Sequence, residues 1–233
     1  MAAHIVSPIQ KLAPADKTFG DLSPAVVEAV EQEALTTTYP TGAVLFAEGQ
    51  ASRGVFIVRR GRVKLSICGS DGRTLILRIV EAGCPLGVAA VISARKYEAT
   101  AETQEPCEVS FLRQSDLLRL MRLHGELALW VTRHISEDYA GTCREIRDLM
   151  LSDSASEKLA RLLVGWLDHN TEAKNPSQVK MALTHEEIGQ MIGTSRETVS
   201  RLFAGFKKQH LIQQNGCTLV IPNRVALENL ITA

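Results

Sequence analysis

The stretch Leu183-Thr184-His185-Glu186-Glu187-Ile188-Gly189-Gln190-Met191-Ile192-Gly193-Thr194-Ser195-Arg196-Glu197-Thr198-Val199-Ser200-Arg201 decides how the whole chain is read. Thr184 is a good helix N-cap, and Glu187 three residues on completes a capping box. Ile188 and Ile192 lie four apart on one face. Gly189 is small where a second helix must cross closely. Gly193 can take the positive φ of a tight turn between helices. Ser195 caps a second helix, with Thr198 in place of Glu three residues later. In that helix Val199, Leu202 and Phe206 are expected to face inward. Its exposed face carries Arg196, Glu197, Ser200 and Arg201, followed by Lys207 and Lys208.

Two short capped helices around a glycine turn make a helix-turn-helix. The polar groups cluster at the N-terminal end of the second helix, where a recognition helix touches base edges. Arginine can donate two hydrogen bonds to guanine O6 and N7, and glutamate can accept from cytosine N4. Glu197 is informative, because a purely electrostatic phosphate binder would not carry a carboxylate there. From Thr194 to Gln209 four basic residues, Arg196, Arg201, Lys207 and Lys208, face one acid, Glu197. The plain alternative is a solvated amphipathic hairpin, against which the caps, the turn glycine and the core spacing all argue. Downstream, Asn215-Gly216 sits between Leu211-Ile212 and Leu219-Val220-Ile221. That is a two-residue hairpin signal, so a β-wing follows the second helix.

Upstream, Asp153 and Ser154 offer caps, and Ser154 with Glu157 has capping-box spacing. A helix is expected from there to about Asp168, then a polar loop from Asn170 to Gln178. Residues Ser115 to Met150 contain no proline and only Gly125 and Gly141. Leu123, Leu127, Val131, Ile135 and Tyr139 recur every four residues, and Cys143, Ile146 and Met150 continue the stripe. This predicts one long helix with a strong apolar face. A second stripe, Leu120, Trp130, His134 and Gly141, lies beside it. One face can cover a sheet and the other can meet a second copy, with Leu127, Trp130, Val131, His134 and Gly141 as the candidate dimer seam. The alternative is one helix sandwiched inside a monomer.

Further upstream, eight glycines between Thr41 and Val88 separate short β-rich runs: Val55 to Val58, Val63 to Ile67, and Leu75 to Val80. Asp71-Gly72 reads as a hairpin turn between two of them. Another strand is expected from Glu108 to Leu112. Short strands at this spacing predict an antiparallel sandwich or barrel over about residues 40 to 114. The fold class is therefore α+β, with an N-terminal β-roll preceded by a helical segment (residues 1–114), a dimerisation helix (115–151) and a winged helix-turn-helix (152–233).

The chain has 233 residues, with 26 basic and 26 acidic side chains. A zero balance excludes a globally cationic nucleic-acid coat but allows a local basic surface. The longest mostly apolar uncharged run, Pro85 to Ala94, is half a membrane span. Met1 to Lys17 has no apolar core of the signal-peptide kind. A soluble, cytoplasmic protein with no membrane partner is expected. Cys68, Cys84, Cys107, Cys143 and Cys217 are scattered singly, which argues against a disulfide framework and against zinc spacing. No nucleophile elbow, Walker-type loop or His/Glu metal motif appears, so no enzyme is expected.

The stretch from Leu183 to Arg201 closely resembles the DNA-binding motif of the CRP/FNR transcription regulators. The order of parts resembles that family over about residues 20 to 223. The resemblance implies a homodimer on a twofold-symmetric operator, an effector in the β-roll that positions the recognition helices, and RNA polymerase as a partner in activation. It also implies DNA contacts at Thr184, His185, Ser195, Arg196, Glu197, Ser200, Arg201 and Lys207. Arg196, Glu197 and Arg201 fit the base-reading trio of the cAMP-receptor branch, while Glu197, Ser200 and Arg201 fit the Glu-x-x-Ser-Arg of the FNR branch. Half-sites with a TGA core (TTGA or TGTGA), about one helical turn apart, are expected.

The sensor region departs from the cAMP pattern. That branch opens its phosphate cassette with Gly-Glu-Leu and closes it with Arg-Ser. Here the positions hold Gly87-Val88-Ala89 and Glu98-Ala99, and the dimer-helix positions that meet the purine hold Cys143 and Arg144. An acid at the expected arginine repels a cyclic phosphate, so cAMP is disfavoured, although Arg95 or Lys96 lies close by. Cys107 aligns with a cluster-ligating cysteine of the FNR branch. No cysteine precedes Cys68, and one thiolate cannot hold a four-thiolate cluster, so an FNR-type iron–sulfur centre is disfavoured too. Haem through His4, His124, His134 or His169, thiol oxidation at Cys107 or Cys143, and no effector at all stay open. So does a sensor acting through protein contacts without DNA.

Overall fold

The computed structural model describes residues 9–10, 19, 22–150, 154–169, 177–181, 183–216 and 218–232. The elements run β1 (Ile9–Gln10), α1 (Pro24–Glu33), β2 (Leu35–Tyr39), β3 (Val44–Phe46), β4 (Gly54–Arg60), β5 (Val63–Cys68), β6 (Thr74–Val80) and β7 (Pro85–Leu86). Then come α2 (Val88–Ile92), β8 (Thr100–Thr103), β9 (Cys107–Arg113), α3 (Gln114–Leu123) and α4 (Gly125–Met150). The carboxyl-terminal elements are α5 (Ala155–His169), β10 (Gln178–Lys180), α6 (His185–Ile192), α7 (Arg196–Lys208), β11 (Gln213–Asn215), β12 (Thr218–Val220) and α8 (Arg224–Thr232). Two compact units emerge, one of Gln10–Cys68 with Leu77–Ala140, the other of Gly141–Ala233 with the segment Gly69–Ile76.

Strands β1 to β9 form two sheets, in the orders β1-β6-β5-β8-β3 and β2-β9-β4-β7. Strand β4 explains why its sequence is a continuous apolar run. Successive side chains of a strand point to opposite faces. Phe56 and Val58 enter a roll interior shared with Phe46, Val63, Leu65, Tyr97 and Val109. Val55 and Ile57 point the other way, into a cluster with Val26, Val30, Val91, Leu112, Leu117, Leu127, Trp130 and Val131. The second sheet is thus apolar on both faces, one toward the first sheet and one toward helices α1, α2, α3 and α4. The expected turn at Asp71-Gly72 forms, with Gly72 at φ 79° and the Asp71 carboxylate accepting the Arg73 backbone N–H at 3.1 Å.

The expected single helix from Ser115 to Met150 is two helices. His124 adopts φ −125°, ψ 95°, which ends α3, and its carbonyl accepts the Leu127 N–H at 3.1 Å to begin α4. Glu126, in the first turn of α4, accepts the backbone N–H of Ser23 at 3.1 Å and its hydroxyl. A carboxylate there also complements the positive end of the helix dipole. This tie to the residue that caps α1 gives the break a tertiary cause. The apolar stripe is interrupted with it: Leu123 is exposed, as is Tyr139.

The second unit has a three-stranded sheet of order β10-β12-β11 beneath helices α5 to α8. Leu219 is central, opposite Val179 on one side and Gln214 on the other. The wing turn forms one residue later than expected: Asn215 still pairs with Thr218 in the ladder, and Gly216 follows it at φ 59°. Strand β10 starts at Gln178, the last residue of the expected loop, and was not foreseen; α8 follows the strand pair that was expected to end the fold. Ser154 caps α5, its hydroxyl accepting the Glu157 N–H at 3.1 Å.

Candidate nucleic-acid interface

Helix α6 starts at a complete capping box: the Thr184 hydroxyl accepts the Glu187 N–H and the Glu187 carboxylate accepts the Thr184 N–H. The turn behind it depends on two glycines. Gly193 stands at φ 68°, a left-handed conformation costly for residues with a Cβ. A Cβ on Gly189 would come within 2.7 Å of the Thr194 carbonyl oxygen, so only glycine lets the turn fold over α6. Ser195 caps α7, accepting the Thr198 N–H at 3.2 Å. Inward lie Val199, Phe203 and Phe206. Leu202, expected there, is half-buried, and Phe203 takes the central place. A helix turns 100° per residue, and Phe203 is the one that stands four residues beyond Val199.

Arg196, Glu197, Ser200, Arg201 and Lys207 are all exposed on α7, with Thr184 and Ser195 exposed at the two caps. Arg201 donates to the Thr198 hydroxyl at 3.2 Å, which holds the guanidinium along the helix. Lys207 donates to Gln214 Oε1 of β11 at 2.7 Å, joining the wing to the end of α7. Glu197 is held below the usual carboxylate range, first by its own backbone N–H at the helix start, then by the Ser195 hydroxyl, with Arg196 and Arg201 adding to it. It therefore presents a full negative charge amid basic neighbours. His185 opens α6, with Nδ1 2.9 Å from Ser200 Oγ. Its ring stacks on Phe203, centroids 4.7 Å apart. Burial pushes its pKa down, and Lys207 and Arg196 push it further. Sequence reasoning named His185 and Ser200 separately. Their contact spans 15 residues and has no local signal.

The expected sensor positions lie in a different setting. Gly87, at φ 77°, precedes α2, and Val88 is buried. Glu98 is exposed and Ala99 half-buried, while Arg95 and Lys96 are exposed. The residue that anchors this stretch is one the sequence did not single out. Tyr97 is buried, stacks on Phe46 at 4.0 Å between centroids and donates its hydroxyl to the Gly54 carbonyl at 2.6 Å. Cys143 is exposed on α4. The Arg144 side chain, like His4 and the His169 side chain, lies outside the described residues.

The expected dimer seam is revised. Leu127, Trp130 and Val131 are buried in the chain's own helical layer. His134 is buried against the Trp130 ring, centroids 4.2 Å apart. These side chains already have intrachain partners, because α4 lies against the helix-facing side of the second sheet. Gly141 is half-buried. Among the described residues of α4, the large apolar side chains left exposed are Leu129, Tyr139 and Ile146. Thiol oxidation at Cys107 is also countered by its setting. The side chain is buried, burial pushes its pKa up, and its S–H donates to the carbonyls of Arg62 and Glu105. A thiol that is harder to ionise is a poorer nucleophile.

Among the described residues no helix is long and apolar enough to cross a membrane. Residues 36–124 match the cyclic nucleotide-binding domain, and residues 157–230 match the Crp-like helix-turn-helix domain. The chain is 27% identical over 184 residues to the cAMP-activated global transcriptional regulator CRP of Haemophilus influenzae, covering 78% of this chain and 82% of that protein. The fold is similar to a CooA variant from Carboxydothermus hydrogenoformans, with TM-score 0.77 at 21% identity over 99% of this chain and 100% of that one. It is also similar to the c-di-GMP responsive global regulator CLP of Xanthomonas campestris, with TM-score 0.75 at 20% identity over 86% and 100%. A β-roll that matches the cyclic nucleotide-binding domain, followed by a capped helix-turn-helix of the Crp type with polar and charged groups on its outer face, is a regulator's architecture and not an enzyme's: the chain belongs to the CRP/FNR family of DNA-binding transcription regulators.

Proposed function

We propose that the protein works as a homodimer on an inverted-repeat operator with TGA-containing half-sites, and that an effector or redox signal other than cAMP, received by the β-roll, gates it. The observation that carries this reading is the joint exposure of Arg196, Glu197, Ser200 and Arg201 on the N-terminal half of α7, beside caps that leave the helix end open to a groove. Dimerisation uses the outer face of α4. Leu129 and Cys143 stand two heptads apart, and Tyr139 and Ile146 one heptad apart in the complementary phase, the a/d spacing of a two-stranded seam. All four are exposed. A twofold dimer supplies two copies of α7, one for each half-site of an inverted repeat.

Against cAMP stands Glu98, an exposed acid where the phosphate of that ligand needs a cation. The relative from Haemophilus influenzae is described as cAMP-activated and that from Xanthomonas campestris as c-di-GMP responsive; similar chains thus carry different effectors. Contact with RNA polymerase is part of this proposal, on family resemblance. The deciding experiment is fluorescence anisotropy of purified protein on TGA inverted-repeat duplexes against a scrambled duplex, with molar mass by light scattering. Tight, sequence-selective binding of a dimer is expected. A monomer that treats both duplexes alike overturns the reading.

A further inference from the structure

Ser200 does not place its hydroxyl hydrogen freely. Its Oγ lies 2.9 Å from His185 Nδ1, and the stack of the imidazole on Phe203 at 27° between planes holds the ring in position. A neutral imidazole has one donor nitrogen and one acceptor nitrogen. Burial and the cations Lys207 and Arg196 lower the His185 pKa, which favours the neutral ring. Two arrangements remain. In one, Nδ1–H donates to Ser200 and Nε2 carries a bare lone pair. In the other, the Ser200 O–H donates to Nδ1 and Nε2 carries the hydrogen. His185 is the first residue of α6, the helix that crosses the phosphate backbone when a helix-turn-helix docks. A lone pair on Nε2 would repel phosphate oxygens there, whereas Nε2–H donates to them. With the ring neutral, the second arrangement is the one that suits a phosphate neighbour.

We propose that His185 is a specificity-determining residue that acts through Ser200: by accepting the serine hydroxyl hydrogen at Nδ1, it leaves Ser200 with acceptor lone pairs only. Ser200 can then accept from the N4 amino group of cytosine or the N6 amino group of adenine, and finds no donor on the keto edges of guanine or thymine. A hydroxyl that is ordinarily ambiguous becomes a one-way reader. His185 is thus a positioning residue for base recognition as well as a phosphate neighbour. The inference rests on the recognition-helix reading of α7.

The test compares wild type, His185→Phe, His185→Asn, Ser200→Ala and the double variant His185→Phe/Ser200→Ala, each shown by circular dichroism to be folded. His185→Phe keeps the stack and removes both nitrogens. His185→Asn offers an amide oxygen near the Nδ1 position. Each protein is titrated by anisotropy at one salt concentration against the TGA inverted repeat and against duplexes with each half-site pair replaced in turn. Ser200→Ala and His185→Phe are expected to flatten the preference at the same base pair by about three- to tenfold, the worth of one hydrogen bond. The double variant is expected to flatten it no further, and His185→Asn to retain it. If His185→Phe weakens every duplex alike and leaves the base profile intact, or if Ser200→Ala changes no base pair, the inference is overturned while the recognition helix stands. If wild type prefers no duplex over a scrambled one, the recognition-helix reading fails and this inference falls with it.

Discussion

The guanidinium of Arg78 on β6 meets the carboxylate of Asp138 on α4 through both terminal nitrogens, Nη2 lying 2.9 Å from Oδ2 and Nη1 on Oδ1. Both side chains are mostly covered, 16% and 33% exposed. The pair ties a roll strand to the long helix. Removing one partner of such a pair leaves the other poorly compensated. Asp138→Ala is expected to cost about 1–3 kcal/mol, read by urea denaturation, and Arg78→Met in that background to recover part of the loss. Equal, additive losses would show that the two charges do not depend on each other.

One turn earlier on α4, His134 has its pKa lowered from the ordinary 6.5, chiefly by burial and further by Arg78, against the opposing pull of Glu137 and Asp138. A histidine harder to protonate in the folded state stabilises the fold at neutral pH. As the pH falls through the ordinary value, the unfolded chain binds the proton first. Stability is therefore expected to drop from about pH 7 downward until the folded-state pKa is passed. Melting temperatures of wild type and His134→Gln across that range check it, with a flatter profile expected in the variant.

On the DNA face, Glu197→Ala is expected to relax base preference, whereas Lys207→Ala weakens all duplexes alike and lowers the salt slope by roughly one counterion. Titrations at several salt concentrations distinguish the two. If neither variant alters binding, the docking face is wrongly assigned.

Thiol reactivity is expected to divide by burial. Cys68 and Cys143 are exposed, Cys84 and Cys107 buried, and the Cys84 thiol is pushed up to about 12 by burial. Alkylation of the native protein followed by peptide mapping should label Cys68 and Cys143 first, and Cys84 and Cys107 only on unfolding. Rapid labelling of Cys107 would restore it as a redox candidate.

Helix α7 ends with His210 at φ 57°. The His210 N–H bonds to the Lys207 carbonyl, and the Leu211 N–H to that of Phe206 at 2.9 Å. This is a Schellman stop with a non-glycine residue at its left-handed position. His210→Gly removes the Cβ clash and is expected to stabilise by about 1 kcal/mol, measured by thermal melting. A destabilised variant would mean that the His210 side chain contributes more than its backbone conformation costs.

The helix-turn-helix was legible in the sequence almost residue by residue. Its determinants are local: Thr184 with Glu187, Ser195 with Thr198, and a glycine turn, all within hydrogen-bond reach along the chain. The hairpins at Gly72 and Gly216 were legible for the same reason. The side of α4 facing the core was not, because apolar residues surround that helix. Position along the sequence does not say which of them meet strand β4 and helix α1. Nor could spacing predict the break at His124, since the Glu126–Ser23 contact spans 103 residues. Strand β10, three residues long, has too little pattern to announce itself and forms by pairing with β12. The capped helices, the turns and the chemical groups offered to DNA thus follow from the order of residues alone, because their energies arise between near neighbours. Only the tertiary structure decided which face of α4 stays outside and which hydroxyl faces His185, because those energies arise from surfaces brought together across long stretches of chain.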